Sequence, residues 1–190
     1  QPHYLGVDKI DLSNNPTGNN IIFNHRDNEY TQYKWFLQQM DKLYERRQDF
    51  TVYTTLADIN KPYGKRVKIH DRQDYLKFLK SMKVGVGCFS KYSAWSIATT
   101  DSLSMGVPYV LPNKLCYPEM VAVADEPYPY LYDGREDFKK KFKEMLDNPI
   151  EYDTENVAKH MVWEERISKW FNNWENVFDL KPMGDTEGLQ

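Results

Sequence analysis

Cysteine is scarce in this sequence: there are two, Cys88 and Cys116, in 190 residues. Two are too few for a disulfide framework, and they lack zinc-ligand spacing, so reduced thiols in a cytoplasm are expected. Long apolar runs are missing too. No stretch approaches the roughly 20 residues that a membrane helix needs. No signal peptide opens the chain, which begins at Gln1, so a piece excised from a longer protein is expected. A surplus of positive charge is also absent. The formal net charge is −3, which gives no general pull toward nucleic acid and no support for a nucleic-acid acceptor. His, Cys and acidic residues are not clustered at metal spacing, so no metal is expected. There is no internal repeat or low-complexity tract. What remains is 41% hydrophobic and 28% charged residues, a globular composition large enough for one well-filled core.

Short apolar runs alternate with helical periods along the chain. Ile21-Ile22-Phe23 predicts a first buried strand that delivers Asn24-His25-Arg26 at its carboxyl end. The spacing of Tyr33, Phe36, Met40, Leu43 and Tyr44 predicts a helix over about 31–47. Phe50–Thr54 is a β-branched and aromatic second strand, and Val67-Lys68-Ile69 a short third one ending at His70-Asp71. Asp71 would cap a helix carrying Tyr75, Phe78, Leu79 and Met82. Tyr130-Leu131-Tyr132 is a sixth strand, after which Asp133 and Glu136 have capping-box spacing before a helix bearing Phe138, Phe142, Met145 and Leu146. The clearest period is the last: Trp163, Ile167, Trp170, Phe171, Trp174 and Phe178 form one broad stripe that must be covered.

The organising stretch runs from Val84 to Val121. Val84 to Phe89 is a buried strand, Ser90-Lys91-Tyr92-Ser93 a hydroxyl-rich step that caps a helix ending at Gly106, and Pro108 to Leu111 the next strand. Alternating strands and helices imply an α/β domain: a doubly wound, parallel, six-stranded Rossmann-like sheet with helices on both faces. In the 3-2-1-4-5-6 order, strands one and four are neighbours, and a ligand belongs in the crevice outside their carboxyl ends. Arg26, Lys91 and the N–H groups of Ser93, Ala94, Trp95 and Ser96 would converge there, which implies an anion. Arg26 offers a planar fork suited to a diphosphate. His25 is given a contact role, while His70 would border a base pocket or cap a helix. Gly85-Val86-Gly87 is a weak dinucleotide signal, because its glycines lie inside the strand and no third glycine opens the helix.

Within that stretch, Asp101-Ser102-Leu103-Ser104-Met105-Gly106-Val107-Pro108-Tyr109-Val110 resembles the E-A-M-A-C-G-x-P-V-V segment of the group 1 glycosyltransferases, whose GT-B fold has two Rossmann-like domains. Ser93-Ala94-Trp95-Ser96 falls where that family has E-G-F-G, and Pro118-Glu119-Met120-Val121 where it has P-E-x-V, without a gap. Asn24-His25-Arg26 is similar to its diphosphate-binding step, and Gly6-Val7-Asp8 to its interdomain crossing. The resemblance implies the second, donor-binding half of a glycosyltransferase: a linker over 1–19, the Rossmann-like domain over 20–180, and a tail over 181–190. The donor would be a nucleoside-diphosphate sugar, bound as substrate with no separate cofactor. Arg26 and Lys91 would stabilise the leaving diphosphate, and Asn24, His25, Ser93, Ala94, Trp95, Ser96 and Glu119 would line the donor. Asp101 would accept hydrogen bonds from the ribose hydroxyls. The partner would be an N-terminal acceptor domain of the same protein, toward which the last helix crosses back, and the fragment alone would transfer nothing. Serine at 93, where the family has glutamate, motivates one alternative, a non-catalytic interaction module of the same fold. A sugar-nucleotide epimerase or hydrolase is another.

Overall fold

The computed structural model describes residues 10–90, 95–122, 127–162 and Ser168. Its strands are Asn19–Phe23 (β1), Phe50–Thr54 (β2), Gly64–Arg66 (β3), Val84–Val86 (β4), Tyr109–Pro112 (β5) and Leu131–Tyr132 (β6). They form a six-stranded sheet in the order β3-β2-β1-β4-β5-β6, and each pairing is parallel. The helices are Tyr33–Tyr44 (α1), Arg72–Leu79 (α2), Ile97–Ser104 (α3), Tyr117–Val121 (α4), Gly134–Asp147 (α5) and Thr154–Lys159 (α6). Among the described residues, no helix is long and apolar enough to cross a membrane.

The apolar run of β1 shows why the chain folds in layers. Successive strand side chains point to opposite faces, so Ile21 and Phe23 serve one core and Ile22 the other. Ile21 and Phe23 join a large cluster with Phe36 and Met40 of α1 and Phe138 and Phe142 of α5. Ile22 instead packs with Leu79, Met82, Met105 and Val107 around α2 and α3. Both faces are therefore covered at the centre of the sheet, which is why Ile21–Phe23 and Val84–Val86 are buried without a break, whereas β2, nearer the edge, alternates. The strand order steps one way from β1 to β3 and the other way from β4 to β6. With right-handed crossovers, that reversal puts α1 on one face and α2 and α3 on the other. It also leaves a crevice at the carboxyl ends of β1 and β4, which are adjacent in the sheet.

Several boundaries differ from the sequence expectation. The third strand is Gly64–Arg66, not Val67–Ile69: it pairs with Val52, Tyr53 and Thr54 at the sheet edge, where main-chain bonds rather than apolar side chains define it. Its Lys65 and Arg66 are exposed, so the polar sequence there suited an edge all along. Helix α1 starts at Tyr33 because a 3-10 turn at Glu29–Thr31 and a left-handed Gln32 precede it. The Asp133 capping box does not form. Gly134, at φ +87, turns the first residue of α5 out of helical geometry, and the Asp133 N–H donates to the Asp137 carboxylate instead. Asp71 does cap α2, accepting from the Asp74 N–H. Gly106, at φ +73, lies just beyond the end of α3, the position where a left-handed residue closes a helix. The aromatic stripe from Trp163 onward lies outside the described residues, as does Gly6-Val7-Asp8.

Residues 10–18 are coil, and they are held. The Asp11 N–H donates to the Ser104 carbonyl, and the Asn14 amide donates to the carbonyls of Met82 and Gly106.

Tight packing beneath the crevice gives a stability test. A Cβ built on Gly85 would lie 2.1 Å from the Tyr109 ring, which is fully buried and cannot withdraw. Gly85→Ala is expected to cost about 1–3 kcal/mol by overpacking, read as a lower urea midpoint at unchanged slope. An unchanged midpoint would refute the close approach.

Candidate functional site

The site is built outward from the end of β1. Asn24, 1% exposed, is held on all sides: its amide nitrogen lies 2.7 Å from the Tyr75 hydroxyl of α2, 3.2 Å from the Ala98 carbonyl and 3.2 Å from the Ser102 hydroxyl of α3. Its amide oxygen lies 2.6 Å from the Tyr109 hydroxyl of β5. One side chain thus fixes the carboxyl end of β1 against α2, α3 and β5.

His25 points inward as well. Its ring meets Phe23, Phe89 and Tyr109 edge-on, and its Nε2 lies 2.7 Å from the Tyr109 hydroxyl. Burial pushes its pKa down from 6.5 to about 3, and a hydrogen bond to the Val86 carbonyl offsets only part of that. The imidazole is therefore neutral at pH 7 and serves as a packed polar spacer. Asn24 and His25 were expected to touch a ligand; their side chains are engaged within the protein. Arg26 is exposed at this edge, and its guanidinium has no partner among the described residues.

The turn after Arg26 is rigid. The Thr31 hydroxyl donates to the Arg26 and Asn28 carbonyls, and the Ser90 N–H donates 2.9 Å to the Tyr30 carbonyl, joining the loop after β1 to the loop after β4. The Asn24–Ala98 bond then draws the first turn of α3 to the same edge. Helix α3 begins later than expected. Ser96, not Ser93, is the cap, and its hydroxyl accepts from the Thr99 N–H. The N–H groups of Ile97 and Ala98 have no partner among the described residues and give this helix start its positive end. Trp95 is buried, with its indole N–H 2.9 Å from the Thr100 hydroxyl. Lys91, Ser93 and Ala94 lie outside the described residues.

Asp101 is also at this edge, one turn into α3 rather than two. It is 2% exposed, and Arg72, the first residue of α2, grips it with two bonds of 2.6 Å. Sequence reasoning missed Arg72. A signal for it existed: a cation in the first turn of a helix opposes the helix dipole, so something must hold it there. Tyr75 and Tyr109 were read only as apolar positions, because hydroxyl partners across 51 and 85 residues leave no local pattern.

Glu119 is exposed in the first turn of α4, beyond the loop 113–116. In that loop Leu115 adopts φ +62, a left-handed conformation that costs a branched residue about 1–2 kcal/mol. Beside it a pocket of about 240 Å³ opens between Trp35, Phe89, Asn113, Lys114 and Arg135.

No family model and no curated protein sequence matches the chain. Solved structures do match its fold. The pneumococcal O-GlcNAc transferase GtfA, in complex with UDP and GlcNAc, superposes with a TM-score of 0.67 at 11% identity, over 90% of this chain and 38% of that one. Sucrose-phosphate synthase from Thermosynechococcus elongatus gives 0.66 at 10% identity, over 93% and 52%. The apo lipopolysaccharide outer core galactosyltransferase WaaB gives 0.66 at 8% identity, over 93% and 54%. The chain thus has the fold of one GT-B glycosyltransferase domain, and it spans between about two-fifths and half of the length of these proteins.

The buried His25 gives a pH test. Its folded pKa lies below its unfolded one, so the unfolded chain binds the extra proton first as pH falls, and the stabilisation present above pH 6.5 is lost progressively below it. Unfolding free energies from urea titrations between pH 7.5 and 5 should fall below pH 6.5 with a limiting slope of about 1.4 kcal/mol per pH unit. A flat profile over that range would show the imidazole to be solvated.

Proposed function

We propose that this chain is the donor-binding half of a glycosyltransferase, and that the crevice at the carboxyl ends of β1 and β4 takes the diphosphate of a nucleoside-diphosphate sugar. The observation that carries this reading is the meeting of Arg26 and the start of α3 at one edge, joined through the Asn24–Ala98 hydrogen bond. Arg26 supplies a cation without a competing partner among the described residues, and Ile97 and Ala98 supply N–H donors at a helix start. The GT-B likeness supports it, since GtfA was solved with UDP.

The chemistry is leaving-group stabilisation. As the bond from the anomeric carbon to the diphosphate oxygen breaks, its electron pair goes to the diphosphate, and the acceptor oxygen forms the new bond and gives up its proton. The charge that develops on the diphosphate is met by Arg26 and by the α3 N–H groups, with Lys91 as a further cation on the reading from sequence. The α3 N–H groups are fixed by the helix before the substrate arrives, so they need little reorganisation at the moment of bond cleavage. The acceptor and any general base belong to an N-terminal domain of the same protein.

The pairing of Asp101 with Arg72 favours a second reading, a GT-B-like module that has lost transfer activity, because the carboxylate that resembles the family's ribose contact is already occupied. Turnover by the intact protein separates the two.

Arg26→Ala should weaken the binding of nucleoside diphosphates to the intact protein by roughly 10- to 100-fold, as expected for the loss of a charge-assisted bond worth about 1.5–3 kcal/mol. Calorimetry against uridine, guanosine, adenosine and thymidine diphosphates measures it. If none of them binds the wild-type protein, the donor-site reading fails.

A further inference from the structure

The resemblance assigns Asp101 to the ribose, but the geometry around it suits another role. Both carboxylate oxygens are bridged by the Arg72 guanidinium at 2.6 Å, end to end, and the two side chains differ sharply in exposure: 3% for Asp101 and 50% for Arg72. The buried member of the pair is the anion. For Asp101 to receive ribose hydroxyls, it would have to exchange a charged two-point donor for neutral ones while staying buried, which is an unfavourable exchange.

We propose that Arg72 is the residue that touches the nucleoside, and that Asp101 is a positioning residue that holds the guanidinium at the crevice. This rests on the donor-site reading above.

Three features fix Arg72 in that place. It opens α2, whose start lies at the carboxyl edge beyond β3 and beside α3. One turn further along α2, the Tyr75 ring centroid is 6.0 Å from the Arg72 guanidinium carbon. The Tyr75 hydroxyl in turn meets Asn24, so the aromatic neighbour is locked to the end of β1. Asp101 is locked through its own helix, because Ser102 meets the same Asn24 amide. Arg72, Tyr75, Asn24, Ser102 and Asp101 therefore close a ring across β1, α2 and α3, with the half-exposed guanidinium at its outer side. A planar guanidinium held this way can stack on a base and donate to its carbonyl oxygens, which an aspartate cannot do.

The test uses the intact protein and three probes: a nucleoside diphosphate, its 2′,3′-dideoxy form, and inorganic pyrophosphate. Arg72→Lys keeps a cation beside Asp101, and the double variant R72Q/D101N replaces both charges with neutral groups, so neither leaves a buried charge unpaired; thermal melts check that both fold. Each should bind the nucleoside diphosphate at least fivefold more weakly, with pyrophosphate affinity unchanged within twofold. Arg26→Ala should weaken both ligands. Asp101→Asn should lower nucleoside diphosphate affinity without changing the ratio between the ribose and dideoxy forms. The inference is overturned if Arg72→Lys and the double variant bind the nucleoside diphosphate like wild type. It is also overturned if wild type prefers the ribose form tenfold and Asp101→Asn abolishes that preference, which would return Asp101 to the ribose and leave the donor-site reading intact. Wild-type protein that binds neither nucleoside diphosphate nor pyrophosphate overturns both.

Discussion

A single buried amide holds the carboxyl edge of this sheet together. Asn24 has almost no contact with water, and its two polar atoms meet four side chains or carbonyls drawn from α2, α3 and β5. A buried amide without partners is costly, so each of these groups is held to its place by the others. The apolar core below fixes where the sheet and helices lie, but hydrophobic packing is non-directional and leaves helix rotation and axial slip cheap. The Asn24 bonds are directional. They set the start of α3 against the end of β1 to within hydrogen-bonding tolerance, and Arg26 follows two residues later in the chain.

Beneath that amide the sheet is arranged for close approach. Gly85 leaves room for the Tyr109 ring, and this brings the Tyr109 hydroxyl up between Asn24 and His25. Tyr128 completes the support: its hydroxyl both accepts from the Tyr109 N–H and donates to the Tyr109 carbonyl, each at 2.8 Å. A larger residue at 85 would displace the ring and, through it, the amide. The polar edge therefore depends on a gap in the neighbouring strand β4.

The strand order was legible because it follows from few facts: apolar runs such as Ile21–Phe23 and Val84–Val86, helical periods between them, and the handedness of crossovers. Phe50–Thr54 matched its strand end to end, since a β-branched and aromatic run has no helical competitor. Where main-chain bonding decides, the signal faded. Gly64-Lys65-Arg66 is a strand only because β2 offers it an edge. Ser93 and Ser96 are equally good caps by residue type, and Ser96 takes the role because α3 is seated where Ala98 meets Asn24. The adjacency of β1 and β4 was legible in the sequence, but the pairing of Arg72 with Asp101 was not. Arg72 lies 29 residues from Asp101 in sequence, and no local pattern joins them.

The two arginines of this edge are restrained very differently, and the difference bears on how such a site would bind. Arg72 is gripped at two points by a buried carboxylate, so its rotamers are already fixed and little conformational entropy is lost when it meets a ligand. Arg26 has no side-chain partner among the described residues and loses that freedom on binding. In the proposed complex the rigid cation meets the rigid part of the donor, the nucleoside, and the flexible cation follows the diphosphate, whose charge and geometry change as the sugar leaves. A fixed guanidinium at the diphosphate would favour one of those states over the other, whereas Arg26 can follow the growing charge. Catalysis needs interactions that strengthen toward the transition state, and a cation free to approach is one way a fold without a prebuilt anion cage supplies them.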